Sequence, residues 1–127
     1  MKRSLAILIV PILMICLVVS CNQEAIIHTD TAETISIGVK HEFIIATPSN
    51  PATGYMWRET YDESMLELVV STFEVSEAVK KGEAEVGLEQ HLRFKALKKG
   101  KTEVLIDLLG PDLKHSKGQK RFNVAID

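Results

Sequence analysis

Three runs of this chain alternate apolar and polar residues, and that period confines them to half-buried strands. They are Ile35-Ser36-Ile37-Gly38-Val39, Leu92-Arg93-Phe94-Lys95-Ala96 and Phe122-Asn123-Val124-Ala125-Ile126. Two further runs, Phe43-Ile44-Ile45-Ala46 and Val104-Leu105-Ile106-Asp107-Leu108-Leu109, are apolar on both faces, as central strands are. Turn chemistry separates the runs at Pro48-Ser49-Asn50-Pro51, Lys80-Lys81-Gly82, Lys98-Lys99-Gly100-Lys101, Gly110-Pro111-Asp112 and Ser116-Lys117-Gly118. The spacing predicts seven or eight strands, near 25–29, 33–39, 41–47, 55–60, 67–75, 88–96, 102–109 and 119–126. Residues 62–67 and 74–80 have helical character but are too short to change the class. In a chain of 127 residues this pattern points to one all-β sandwich.

The first twenty residues have a different character. Lys2 and Arg3 precede Leu5–Val19, a run without charge. A positive start followed by an apolar run of this length reads as a secretory signal, and it is short for a bilayer span. The run ends Leu17-Val18-Val19-Ser20-Cys21, which resembles a bacterial lipoprotein cleavage box. On that reading residues 1–20 are a signal peptide, Cys21 carries the lipid, and residues 21–127 form the mature domain. Cys16 leaves with the signal. The domain would then sit in the cell envelope, lipid-anchored and facing the periplasm or the exterior. An uncleaved membrane anchor is the simpler alternative and gives the same placement.

Composition narrows the function. Cys16 and Cys21 are the only two cysteines, and both are near the N-terminus, so a disulfide scaffold and a cysteine-ligated zinc site are excluded. The formal charge is −2, and loss of Lys2 and Arg3 makes the mature domain more acidic, so nucleic acid is not expected as a partner. His28, His41, His91 and His115 are scattered and lack metal-ligand spacing. His91 is expected on the surface, opposite Leu92 and Phe94 in phase. Asp107 is the odd carboxylate in an apolar run and is expected to face solvent or accept a hydrogen bond. Glu83, Glu85 and Glu89 fit no calcium loop. No enzyme motif and no cofactor site emerges. The strand edges read as short and lysine-flanked, which suits a monomer.

One stretch asks for more than a fold. In Asn50-Pro51-Ala52-Thr53-Gly54-Tyr55-Met56-Trp57, Pro51 restricts itself and Asn50, Thr53 is β-branched, and Gly54 permits a left-handed backbone. The product is a loop with few conformers and a small tip, which loses little entropy on docking. Tyr55 and Trp57 anchor its exit. Trp57 suits the early strand where an immunoglobulin-like sandwich buries a tryptophan. Taken as separate dipeptides, the string is an ordinary hairpin turn followed by a core tryptophan.

Taken whole, it resembles the chagasin family, immunoglobulin-like inhibitors of papain-type cysteine peptidases. The family motif is Asn-Pro-Thr-Thr-Gly, then an aromatic, one residue and tryptophan. Here only Ala52 departs from it. The resemblance covers about residues 28–127 and implies an immunoglobulin-like antiparallel β-sandwich of seven or eight strands. It implies three loops at one end that block a peptidase's active-site cleft. Asn50, Pro51, Ala52, Thr53, Gly54 and Tyr55 would form the central loop, with Thr53 beside the peptidase's catalytic cysteine and histidine. The second loop falls at Glu85-Val86-Gly87-Leu88, where only Gly87 keeps the family's glycine pattern. The third falls at Gly110-Pro111-Asp112, where only Pro111 matches Arg-Pro-Trp.

The missing arginine and tryptophan are common hot-spot residues. Leu88 and Leu113 are the apolar substitutes at hand, while Glu85 and Asp112 put negative charge at the rim. These departures imply weaker inhibition than a full-motif member's, or another target. Lys114, Lys117, Lys120 and Arg121 form a basic stretch beside the third loop. It reads as a solvated hairpin tip or as a patch for an acidic peptidase surface. The competing reading of the whole is a non-inhibitory surface lipoprotein, a binding module on the same sandwich.

Overall fold

The computed structural model describes residues 24–84 and 87–127. The expected signal segment 1–20, Cys16, Cys21 with its expected lipid, and Glu85 and Val86 of the expected second loop lie outside the described residues. The strands are β1 (Ile26–His28), β2 (Ile35–Ile37), β3 (Glu42–Ser49), β4 (Met56–Tyr61), β5 (Leu66–Val75), β6 (Leu88–Ala96), β7 (Gly100–Leu109) and β8 (Ser116–Ile126). They form two four-stranded sheets, ordered β1-β3-β6-β5 and β2-β8-β7-β4. The chain is an eight-stranded immunoglobulin-like sandwich.

The longer strands pair antiparallel throughout. The two short ones do not: β1 runs parallel to β3, and β2 parallel to β8. A parallel neighbour needs a crossover rather than a hairpin. Between β1 and β3 the chain makes that crossover by visiting the other sheet as β2.

Period two explains the core. Leu92, Phe94 and Ala96 of β6 and Phe122, Val124 and Ile126 of β8 are buried, with polar or half-buried residues between them. Ile35, Phe43, Ile45, Leu66, Val104 and Ile106 complete the cluster. Phe43 stacks on Phe94 with ring centroids 5.6 Å apart. Tyr61, from the other sheet, meets Phe94 edge-on at 5.1 Å. That contact spans the two layers in the T-shaped geometry aromatic quadrupoles favour. In the middle of its sheet, β3 is buried continuously from Phe43 to Thr47, as its apolar run indicates.

The two segments of helical character resolve differently. At 62–65 the chain turns, because the Asp62 carboxylate accepts from both the backbone N–H (2.9 Å) and the hydroxyl (2.6 Å) of Ser64. Between β5 and β6 a single helical turn, α1 (Glu77–Lys80), is capped by the Ser76 hydroxyl.

Two expectations change, those for His91 and for the strand edges, and the one for Asp107 holds. His91 is half-buried rather than a surface residue. It lies between Ala46 and Thr72 in the sheet and meets Glu89 Oε2 at 3.0 Å. Asp107 accepts from Gln119 Nε2 at 3.0 Å, which accounts for its place in an apolar run. The edge strand β5 is neither short nor lysine-flanked. It has ten residues and no lysine, and Val69, Val70, Phe73 and Val75 are exposed on it. A bulge between Leu68 and Val70 is what interrupts this edge.

Candidate functional site

The register brings three connections to one end of the sandwich. Ser49 pairs with Leu88, Leu88 with Val75, and Met56 with Leu109. The 50–55 loop, the β5–β6 connection and the 110–115 loop therefore leave their sheets at the same level.

The central loop is held by its own atoms. Pro51–Thr53 makes one 3-10 turn. Thr53 donates to the Asn50 carbonyl twice, from its N–H (3.2 Å) and from its hydroxyl (2.8 Å). The same hydroxyl accepts from the Tyr55 N–H at 3.4 Å. Gly54 has φ +77°, the left-handed region that glycine enters without steric cost. A Cβ there would also stand 3.2 Å from Cγ of Pro111. Gly54 is thus required by both its backbone angle and its contact with the third loop. Ala52 and Thr53 are exposed at the tip.

The stem is closed by Trp57. Its Nε1 donates to the Pro48 carbonyl at 2.7 Å, bridging the strand before the loop to the strand after it. The indole is half-buried against the core cluster, and Lys120 Nζ lies 5.4 Å from its ring centroid. Lys120 is engaged there, and Arg121 pairs with Glu103 at 3.3 Å. The basic stretch is therefore not wholly free; Lys114 and Lys117 remain exposed.

The third loop folds around Asp112. Its carboxylate accepts from the backbone N–H of Lys114 (3.1 Å) and His115 (3.4 Å), and pairs with the His115 ring. Hydrogen bonding, first from His115 and then from Lys114, holds the Asp112 carboxyl below the usual carboxylate range. The negative charge expected at the rim is thus tied to a neighbour. Leu113 adopts φ +57°, a conformation that costs a non-glycine residue about 1–2 kcal/mol. It lies over β4, lining a hollow of about 250 Å³ with Met56, Trp57, Arg58, Glu59 and Leu109. Pro111 touches Gly54, and a Cβ on buried Gly110 would stand 3.8 Å from the Tyr55 ring. The first and third loops meet directly.

In the second loop, the Gly87 carbonyl accepts from the Ser76 N–H at 3.0 Å. A Cβ at Gly87 would sit 2.6 Å from the Ser76 hydroxyl, so this glycine is set by packing. Leu88 opens β6 and is partly exposed. Leu88 reaches the loop end through its register with Ser49, and Gly87 precedes it. Among the described residues, no group of three or more His, Cys, Asp or Glu side chains converges as a metal site would require.

A family model described as Chagasin family peptidase inhibitor I42 matches residues 36–126. The chain belongs to the chagasin family of peptidase inhibitors. Among solved structures, the cysteine protease inhibitor EhICP2 from Entamoeba histolytica is similar, with a TM-score of 0.63 and 22% identity. The match covers 82% of this chain and 98% of that one. Amebosin, solved in solution, is similar with a TM-score of 0.57 and 18% identity, over 81% and 98% of the two chains. At these identities the likeness is one of fold. No curated protein matches.

In this chagasin-family chain, sequence reasoning overlooked Phe73 and Gln90. With Ser49, Gly54, Tyr55 and Met56 they line a cavity against the central loop. The signal was the apolar run of β5, but its phase is set by a bulge that leaves no mark in the sequence.

The stem closure is open to measurement. Trp57→Phe keeps the ring against the core and removes the donor to Pro48. It should lower stability by about 0.5–1.5 kcal/mol in urea denaturation and speed amide exchange across 50–55. Unchanged exchange in that segment would show that the loop does not depend on Trp57.

Proposed function

We propose that this chain inhibits papain-like cysteine peptidases by filling the active-site cleft with the loops at one end of its sandwich. The observation that carries this is the braced central loop. Thr53 fixes the turn from within, Trp57 closes the stem, and Pro111 backs Gly54. Such a loop enters a narrow cleft with its shape already set, so little ordering entropy opposes binding. The tip residues Ala52 and Thr53 are small and uncharged, which suits a slot built around a peptidase's cysteine and histidine. Inhibition is by occlusion, so the chain needs no catalytic group and no cofactor.

The second and third loops flank this wedge. Gly87 and Leu88 supply one side, and Gly110, Pro111 and Asp112 the other. Leu88, partly exposed at the start of β6, takes the place of a larger anchor on its side. A standard interface buries roughly 800 Å² per partner, more than a five-residue tip can provide, so the flanks are needed. The domain acts at a membrane surface, tethered by lipid on Cys21 after removal of residues 1–20. Radiolabelled palmitate supplied to expressing bacteria should enter the wild-type protein and not Cys21→Ala; equal labelling of both would refute the tether.

The inhibitor reading is tested with the full chain in mild detergent, titrated against papain with a fluorogenic substrate. Competitive inhibition at nanomolar to low-micromolar concentration is expected. Thr53→Arg should weaken it about 100-fold, close to 3 kcal/mol, by enlarging the tip and removing the hydroxyl's two hydrogen bonds. Because the tip is exposed and outside the core, the domain should stay folded, with the melting temperature lowered by only a few degrees. A folded protein that leaves papain active at high micromolar concentration would sink the proposal and favour a non-inhibitory binding module. Full potency in Thr53→Arg would move the binding surface away from this loop.

A further inference from the structure

Beside the central loop the sandwich is open. Past the bulge at Leu68–Val70, β5 places Ser71 opposite Leu92, Phe73 opposite Gln90 and Val75 opposite Leu88. Directly opposed residues share a face of the sheet, and Leu92 is on the core-facing side. Phe73 therefore belongs to the core-facing row, yet it is 56% exposed. In the same row lies Thr47, fully buried, whose hydroxyl has no hydrogen-bond partner among the described residues. The inner face of this sheet runs out from under its cover toward the loop end.

What bounds the opening is apolar and belongs to both sheets. Phe73 forms one wall and Met56, 58% exposed on the edge strand β4, contributes the other. Gly54 and Tyr55 of the central loop line the side toward the tip, and Ser49 and Gln90 are the polar members. Gln90 is already engaged, donating to Ser71 Oγ at 3.0 Å. Among the described residues, no charged side chain lines the slot. Its volume is about 180 Å³, below the roughly 300–1,000 Å³ of small-molecule sites. The space suits one inserted side chain rather than a free ligand.

We propose that this slot between Phe73 and Met56 is a fourth contact with the target, receiving an apolar side chain from the peptidase surface that flanks the active-site cleft. The inference rests on the inhibitor reading and extends it. Two observations favour the peptidase as occupant. The slot is continuous with the wedge, since Gly54 and Tyr55 line both. The third loop, which lacks arginine and tryptophan, turns Leu113 back over β4, leaving the flank in need of an anchor. A desolvated aromatic beside the centre of an interface is where binding energy concentrates.

The test uses the full chain in mild detergent with papain as the probe. Phe73→Ser should raise the inhibition constant about tenfold or more, mostly through faster dissociation. Met56→Gln should shift it in the same direction, which guards against a folding defect in either variant. Papain inhibited equally by the parent and both variants, while Thr53→Arg weakens inhibition about 100-fold, would overturn the slot and leave the wedge standing. A parent that does not inhibit would overturn both. A dimer in sedimentation equilibrium that Phe73→Ser dissolves, with the inhibition constant unchanged, would assign the slot to a second copy and also overturn the inference.

Discussion

The Trp57 indole holds the Pro48 carbonyl at 2.7 Å, and the exposed features at that end of the sandwich are built outward from this closure. Pro48 directly follows the buried stretch of β3, and Trp57 lies near the start of β4. These strands belong to different sheets. A hydrogen bond between them fixes where one sheet hands the chain to the other. The six residues between the strands then have a short span to cross. Within that span Thr53 and Gly54 leave the backbone few alternatives, one through its hydroxyl and the other through its left-handed angle.

The rest of the sandwich serves to hold this end steady. Phe43, Phe94 and Tyr61 tie the two sheets through their rings. The pairing of Met56 with Leu109 brings the third loop alongside the first, so that Pro111 backs Gly54. Burial of the large aromatic and aliphatic residues stabilises the domain without disulfides, as a domain of this size can. Rigidity at the tip is thus inherited from the core through two short stems. Function, on this account, is a matter of shape retained until contact.

Much of this was legible because strands advertise their period. The alternation at 92–96 and 122–126 marks the residues that are buried, and the doubly apolar run at 43–46 marks a central strand. The Asn50–Trp57 string could be read because proline and glycine restrict the backbone in known ways. What stayed hidden depends on tertiary contact. Two three-residue strands do not reveal that they pair parallel. Leu113 in a left-handed conformation has no sequence signature; its angle is sustained by the hydrogen bonds around Asp112. The bulge in β5 decides that Phe73 faces inward, and only the pairing with β6 shows where it falls. His91 was read from phase alone, and phase does not report how much neighbouring strands cover an outer face.

Hydrogen–deuterium exchange of the full chain, free and mixed with papain, tests the central claim most directly. The account requires new protection at 50–56, with weaker protection at 110–113 and around Phe73 and Leu88, and none at β1 and β2 on the far edges. Protection confined to a sheet face or to the β1–β2 side, with residues 50–56 unchanged, would contradict it.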